Sequence, residues 1–333
     1  MKRVSITCLL FFVSAITVRA TTWNEPWHEE VVKRAESFVK VRITEASPAL
    51  CKAEVLKSLS GTTVPKEFEL SGYSGLNVTS FTVGDTAELG LLFKQNEIYY
   101  LLITKNPKTN RYQIPTPTSG WGWLKEGTVR ATYRHSYHQA LVPEDVYELT
   151  MTAIFNGLHG QSYDRDAVTK FVREQLSGPV ADLGQDDSIN KKFFLQHVAL
   201  ETFYLLKQGV ELSQLLPFLE SKTFHVQVSA CRAISTIDSA AAKETLMKFI
   251  EGKGTGFAKV MCVWGLKRLK AREMIPRLKT FMDRGEDQRT GFGGSIMDPR
   301  VGTFFPASVK AAAWELLNEW GVRVPEPKIT IGI

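Results

Sequence analysis

An apolar pattern that returns every 31 or 32 residues constrains the second half of this chain of 333 residues. One series of positions recurs three times, as Leu215, Phe218 and Leu219, then Leu246, Phe249 and Ile250, then Leu278, Phe281 and Met282. A second series runs in step with it, as Val198, Leu200, Phe203 and Leu206, then Ser229, Cys231, Ile234 and Ile237, and then Leu266 and Leu269. Two helices per repeat account for the paired series. Because a two-helix unit cannot bury its apolar face alone, neighbouring units must stack, and the pattern predicts an α-solenoid.

Small residues also recur on the first helix of each predicted pair, at Ala199, Ala230, Gly265 and Ala312. Small side chains let the backbones of neighbouring helices approach closely. In the length of the unit and in these residues, the chain resembles HEAT-type helical repeats. The resemblance implies a solenoid domain over residues 160–324 with about four helical hairpins.

The repeat spacing breaks once, before the last helical segment. The helix expected at 307–320 lies about 50 residues after its predecessor, which indicates an insertion that we place at 285–305. This insertion is rich in glycine and carries apolar side chains that must pack somewhere. They either fold back onto the end of the solenoid as a cap, which is the interpretation we favour, or contact a partner. The candidate partner-binding residues in it are Phe292, Met297, Phe304 and Phe305.

Residues 1–20 have the pattern of a signal peptide. Lys2 and Arg3 precede an uncharged apolar run, and Ala20 supplies the small residue before a cleavage site. The run is shorter than the roughly 20 residues that cross a bilayer. We therefore predict an exported protein, periplasmic or extracellular, that is not an integral membrane protein after cleavage. Cleavage would remove Lys2, Arg3 and Arg19 and lower the formal net charge from +6 to +3, so nucleic acid is not expected as a partner.

Three cysteines remain after residue 20, namely Cys51, Cys231 and Cys262. An odd number excludes complete internal pairing. Cys231 and Cys262 lie at similar places in successive repeats, within apolar stretches. We expect buried free thiols, and a disulfide between Cys231 and Cys262 is the alternative in an oxidising compartment.

The apolar period changes to two before the repeats, which is typical of β-strands. A short helix with Asn24 as its N-cap is expected first. The predicted strands cover residues 38–43, 51–55, 67–70, 89–93, 98–104, 111–114 and 128–133. Several short strands in about 130 residues favour a small closed barrel over an open sheet. The predicted fold class is therefore multidomain, β followed by α, with an OB-like β-barrel over residues 21–155 and the solenoid after it.

Four short motifs lie along the expected barrel: Phe38-Val-Lys-Val-Arg-Ile, Ala53-Glu-Val-Leu-Lys, Val83-Gly-Asp and Tyr99-Tyr-Leu-Leu. Over residues 36–135 they resemble the netrin-like module, an OB-fold barrel that is also found in tissue inhibitors of metalloproteases. Inhibitors of that family bind the protease zinc through an N-terminal cysteine. This chain has Thr21 at the expected mature terminus and lacks the family's disulfide cysteines. The resemblance therefore implies the fold without the inhibitory chemistry.

OB barrels also bind oligosaccharides through aromatic side chains. Trp121 and Trp123 flank a glycine, and they either form such a platform or plug the end of the barrel. These two residues complete the set of candidate partner-binding residues, with an oligosaccharide as the alternative ligand.

Patterns for catalysis and metal binding fail on residue type or spacing. His28 begins a segment like a zincin helix, but valine stands where the second histidine ligand should be. The two histidines of Arg134-His-Ser-Tyr-His138 supply two ligands at most, so a structural or surface role is expected. His197 and His225 lie near the starts of repeat helices and are expected to be capping or surface residues. We therefore predict no catalytic, cofactor-binding or metal-binding residue and no cofactor.

These features favour a non-enzymatic interaction or scaffold protein that binds a protein or peptide partner. The concave face of the solenoid and the insertion would hold the partner, and the barrel would be a second docking surface. Three alternatives stay open, which are an oligosaccharide-binding barrel, a barrel that resembles protease inhibitors, and an enzyme whose catalytic residues are distant from one another in the sequence.

Overall fold

The structure is a computed structural model that describes residues 23–24, 26–47, 50–71, 93–116, 119–136, 138–184, 187–290, 301–302 and 305–327. The predicted signal peptide at 1–20 lies outside these residues. So does nearly all of the strand predicted at 89–93, and most of the insertion.

The strands of the described residues are β1 (Trp23–Asn24), β2 (Ser37–Ala46), β3 (Cys51–Gly61), β4 (Glu67–Ser71), β5 (Ile98–Lys105), β6 (Tyr112–Gln113), β7 (Trp121–Lys125), β8 (Thr128–Thr132), β9 (Gln139–Pro143) and β10 (Val301–Gly302). Five of them close into a barrel, because the order β2-β3-β4-β6-β5 is completed by pairing of β2 with β5. The predicted closed barrel is confirmed.

Three further strands extend the sheet from β5, in the order β7-β8-β9. The strand predicted at 128–133 is observed as β8 (Thr128–Thr132), and it lies in this extension outside the five-strand barrel. The segment around Trp121 and Trp123 is itself a strand, and it pairs along β5. Glu126 and Gly127 then form a two-residue hairpin with positive φ at both positions, which joins β7 to β8.

Both faces of the barrel wall are buried where the helices cover it. On β2, Val39 and Val41 point into the barrel core, while Phe38 points outward to a second core. That second core also contains Met151 and Phe155 and continues into the helices that follow. Since successive strand residues face opposite sides, a wall covered on both sides needs apolar residues at consecutive positions.

The α-helices of the described residues are α1 (His28–Arg34), α2 (Glu144–Leu158), α3 (Arg165–Leu176), α4 (Asp187–Leu206), α5 (Leu212–Leu219), α6 (Phe224–Ile234), α7 (Ala240–Glu251), α8 (Gly256–Arg268), α9 (Ile275–Arg284) and α10 (Val309–Glu319). The chain is thus mixed, with β structure followed by about eight helices after α2. Within this described part, no helix combines the length and the apolar character needed to cross a membrane.

The helix expected near the mature terminus is α1, but its predicted N-cap is wrong. Trp27 is at the N-cap position, and α1 begins at His28. Asn24 lies in β1, where it pairs with Gly302 of β10. The pairing of β1 with residues near the end of the chain is a long-range contact that the local cap pattern does not reveal.

The repeated apolar positions form the helix contacts. The first helices (α4, α6, α8 and α10) pack against one another in chain order, and each second helix (α5, α7 and α9) packs on the first helix that follows it. The recurring positions Leu215, Leu246 and Leu278 of the second helices have no exposed surface. Gly265 of α8 allows a close approach of α7, because a Cβ atom there would lie 2.9 Å from side-chain atoms of Leu246 and Ser235.

Two glycines with positive φ provide a test of the barrel's tight closure. Gly61 has φ of 87°, and a Cβ atom there would lie 2.2 Å from the Glu36 carbonyl oxygen, whereas Gly160 has φ of 69° and open space around it. We expect Gly61→Ala to lower the free energy of unfolding by about 2–3 kcal/mol, since it adds a clash to the strain of the left-handed region. Gly160→Ala, which adds only that strain, should cost about 1 kcal/mol. Urea unfolding measures both, and equal losses would contradict the assignment of the clash.

Candidate functional site

Three of the six predicted partner-binding residues lie in the described part of the chain. These are Phe305, Trp121 and Trp123, while Phe292, Met297 and Phe304 lie outside it. The half-buried ring of Phe305 stacks on Phe257 with 4.4 Å between ring centroids and meets Trp264 edge-on at 5.1 Å. Both contacts belong to α8, so this end of the insertion packs on the helices.

Trp121 and Trp123 lie on the same face of β7, since they alternate with Gly122. Both rings are half-buried and pack against the barrel core. The ammonium groups of Lys94 and Lys125 lie 5.9 Å and 5.6 Å from the centre of a Trp123 ring, at cation–π distance. The structure thus places the two tryptophans together, as part of the cover of the barrel core.

A buried polar cluster joins the connection between β8 and β9 to the first helices α4 and α6. We call it the junction cluster, and its members are Arg134, His138, His197, Glu201, His225, Ser229 and Arg232. Each of these residues is at most 7% exposed. Arg134 and His138 come from the connection between β8 and β9, and the other members come from α4 and α6. Helical spacing explains the convergence, because residues four apart lie on one helix face, as His197 and Glu201 do.

The Arg134 side chain, which has no exposed surface, makes the central contacts. Its Nη1 donates to the His225 carbonyl oxygen at 2.9 Å and to Ser229 Oγ at 2.8 Å. Its Nη2 lies 3.1 Å from His225 Nδ1. Because a guanidinium can only donate, Nδ1 must be the acceptor, and the proton of the neutral imidazole lies on Nε2.

The Glu201 carboxylate lies between two guanidinium groups. It accepts from Arg232 Nε at 3.0 Å and from Ser229 Oγ at 2.6 Å, and its Oε1 is 3.7 Å from Arg134 Nη1. Arg232 is also held by rings, with its guanidinium 3.9 Å from the Tyr204 ring centre and 4.7 Å from that of Trp27. One carboxylate therefore compensates two buried cations, which is needed because an unpaired charge is costly in such an environment.

Burial and positive charge keep the histidines of this region neutral. Burial, followed by the charge of Arg134, lowers the pKa of His225 to about 2 and the pKa values of His138 and His197 well below their ordinary value. Burial, followed by Arg232, lowers the pKa of the adjacent His28 to about 3. Burial lowers the pKa of Arg134 to about 9 against the opposing charge of Glu201, so Arg134 remains charged at neutral pH.

The chemical groups of the junction cluster include a hydroxyl, an imidazole and a carboxylate. They bind one another, and these contacts hold α4, α6 and the connection between β8 and β9 together. Ser229 Oγ donates to Glu201 directly, and it has no exposed surface. His197 Nδ1 lies 3.3 Å from the same oxygen. A substrate could reach Ser229 only if the barrel side separated from α4 and α6. Among the described residues, no three His, Cys, Asp or Glu side chains are placed to hold a metal ion.

The expectation that His197 and His225 are capping or surface residues is wrong, because both are buried in the junction cluster. The convergence was missed because its members come from three separate segments. One signal was present in the sequence. His225, Ser229 and Arg232 form a polar stripe with spacing of four and three residues in the otherwise apolar α6, which indicates a buried polar contact on that face.

An open groove lies on the other side of the helices, between α5, α6 and α7. It has a volume of about 510 Å³, and its lining includes Leu216, Leu219 and Phe249, with Glu220, Lys248 and Lys253 among the charged residues. Leu216 is 40% exposed. The sequence pattern identified Leu219 and Phe249 as recurring apolar positions, and it did not indicate a site there. It also did not distinguish Leu216 from other exposed positions, because the repeat shows only which positions are buried.

A second cavity, of about 560 Å³, lies where β3 meets α2 and α3. Its lining includes the apolar side chains of Leu59, Leu149 and Val168, together with the carboxylates of Asp145 and Glu148. The Glu148 carboxylate already has partners, since it pairs with Lys57 and accepts a hydrogen bond from the Tyr100 hydroxyl at 2.8 Å.

Comparisons of the chain with protein-family models, with curated proteins and with solved structures gave no match.

Proposed function

We propose that this protein is an exported, non-enzymatic scaffold that binds an extended segment of a partner protein in the groove between α5, α6 and α7. One observation carries the proposal. The first helices α6 and α8 are buried nearly all round, between the second helices and the side that carries Arg134 and Trp27, so α5 and α7 form the open surface beside them.

The burial of the helices supports this division. In α6, every residue from His225 to Ile234 is buried except Gln227, and in α8 every residue from Gly256 to Val263 is buried. A helix that is buried nearly all round lies between two layers. One layer is formed by the second helices, and the other contains Arg134 and Trp27. A partner therefore meets the second helices.

The groove has room for a side chain of a peptide and has charged groups beside it. Its volume falls within the roughly 300–1,000 Å³ typical of ligand pockets. Leu216 and the half-buried Phe249 offer an apolar surface for one side chain of the peptide. Lys248, Lys253 and Glu220 supply charged groups beside that surface, which would select the residues next to the anchor.

We also propose that the helical part is a HEAT-like solenoid and that the barrel is an OB-like, netrin-like module. The packing of α4, α6, α8 and α10 in chain order, together with the repeat of 31 or 32 residues, supports a HEAT-like solenoid. The barrel order β2-β3-β4-β6-β5, with a parallel pair between β4 and β6, supports an OB-like, netrin-like module. In this proposal the module is fastened to the solenoid by the junction cluster, and residues 1–20 direct export.

We expect Leu216→Lys to weaken peptide binding at least tenfold, a loss of about 1.4 kcal/mol, because the substitution replaces the apolar anchor surface with a charge. Peptides would first be selected on the parent protein from a displayed random library, and the affinity of the best one would be measured by calorimetry. Leu141→Lys is the matched control, because Leu141 is 38% exposed and Leu216 is 40% exposed, and Leu141 lies on β9, outside the groove. The proposal would be contradicted if the Leu216→Lys and Leu141→Lys variants bound the peptide with the same affinity, or if the library gave no peptide that binds the parent protein.

Oligosaccharide binding by the barrel is a second candidate, supported by the placement of Trp121 and Trp123 on one face of β7. Aromatic rings on one face are the usual means of contacting a sugar ring in such barrels. Quenching of tryptophan fluorescence by a panel of oligosaccharides, lost in Trp123→Ala, would support this candidate in place of the peptide.

A further inference from the structure

Two cysteine sulfurs face each other between neighbouring first helices. Cys231 of α6 and Cys262 of α8 are both fully buried, and their Sγ atoms lie 2.9 Å apart. The two residues are 31 positions apart in sequence, so the repeat itself places them in the same register of adjacent helices. Their separation lies between the roughly 2 Å of a disulfide bond and the roughly 3.5–4 Å of a contact between carbon atoms.

We propose that Cys231 and Cys262 are an oxidative modification site, at which an intrachain disulfide joins α6 to α8 when the chain folds in an oxidising compartment. This site is separate from the proposed peptide groove. Cys51 takes no part, because it lies in the barrel core with Val41 and Ile43. The thiol pair is the reduced form of the same site.

The reaction requires a disulfide donor, such as oxidised glutathione or the disulfide of a thiol oxidoreductase. The thiolate of one cysteine attacks a donor sulfur, forms a mixed disulfide and releases the first donor thiolate. The thiolate of the second cysteine then attacks the sulfur of the first and releases the remaining donor thiolate. In total, the two cysteine thiols lose two electrons and two protons, and the donor disulfide becomes two thiols.

The burial of the two thiols determines the stage of folding at which the disulfide forms. It raises the pKa of the Cys262 thiol well above its ordinary value, with the neighbouring Cys231 acting in the same direction. Since the thiolate is the reactive form, the folded reduced protein reacts slowly, and the cross-link forms before α8 is fully packed. Once formed, it is protected from external thiols by the same burial.

Peptide mapping tests the proposal directly. Residues 21–333, which lack the Cys8 of the proposed signal peptide, would be refolded from denaturant with oxidised and reduced glutathione as the donor couple. The protein would then be unfolded in an alkylating reagent, digested and analysed by mass spectrometry. We expect the peptides that contain Cys231 and Cys262 to appear as one species, lighter than their sum by two hydrogen atoms, and the Cys51 peptide to be alkylated. The oxidised protein should melt roughly 5–10 °C above the reduced protein.

Matched variants keep the test decisive. Cys51→Ser should retain the cross-linked species, whereas Cys262→Ser should leave Cys231 alkylated. If Cys231 and Cys262 are recovered separately from protein with a native near-ultraviolet circular dichroism spectrum, the proposal is wrong. Peptide binding at the groove does not depend on this result, so failure here and failure of the proposed function are distinguishable.

Discussion

Replacing Glu201 with glutamine is expected to lower the free energy of unfolding by about 3–5 kcal/mol, which is the cost of leaving buried charges uncompensated. Glu201 is fully buried and is paired with Arg134 and Arg232. Glutamine keeps nearly the same shape and can still accept a hydrogen bond. The loss in the free energy of unfolding therefore measures the effect of removing the negative charge. Without the carboxylate, two guanidinium groups remain in a region that excludes water.

Glu244→Gln is the matched control for this prediction. Glu244 also pairs with two cations, Lys248 and Arg277, but its side chain is 40% exposed. Solvent screens such pairs, so the control should lose at most about 1 kcal/mol. Urea unfolding of both variants at neutral pH measures the difference. Equal losses would show that the junction cluster is not the low-dielectric site its burial indicates.

The two periodicities explain why much of the fold was predictable. The helical repeat identified buried positions such as Leu215, Leu246 and Leu278. The period of two identified strands β2, β4 and β5 near their observed bounds, and it identified the start of β3, which continues to Gly61. Both patterns are local consequences of burying one face of an element. The extension of β7, β8 and β9 was not predicted, because the partner of a strand is set by register and closure, which local patterns do not encode.

The candidate site was less predictable than the fold. Phe305 was selected as an apolar residue of the insertion, and in the structure it packs on Phe257 and Trp264. The junction cluster was not predicted, because Arg134, Glu201 and Arg232 come together only through the packing of separate segments. Buried polar groups of this kind need partners, and in the junction cluster Arg134 and Ser229 are partners 95 residues apart in the sequence.

The histidines of the junction cluster, together with the adjacent His28, also affect the pH dependence of stability. His28, His138, His197 and His225 are buried with lowered pKa values, whereas in the unfolded chain histidine has an ordinary pKa near 6.5. Below pH 6.5 the unfolded state therefore binds more protons than the folded state. The stability supplied by neutral burial is fully present above pH 6.5, and it is lost as the pH falls from 6.5 toward the folded pKa values, which are about 3 for His28 and about 2 for His225.

We expect the free energy of unfolding to fall by about 5 kcal/mol between pH 7.5 and pH 5.5, which is about 1.4 kcal/mol for each of the four histidines. Urea unfolding at the two pH values measures this loss. His225→Asn should reduce the difference by about 1.4 kcal/mol, because one titrating group is removed. A difference near zero in the parent protein would mean that these histidines take up protons in the folded state, and the neutral, closed junction described here would be wrong.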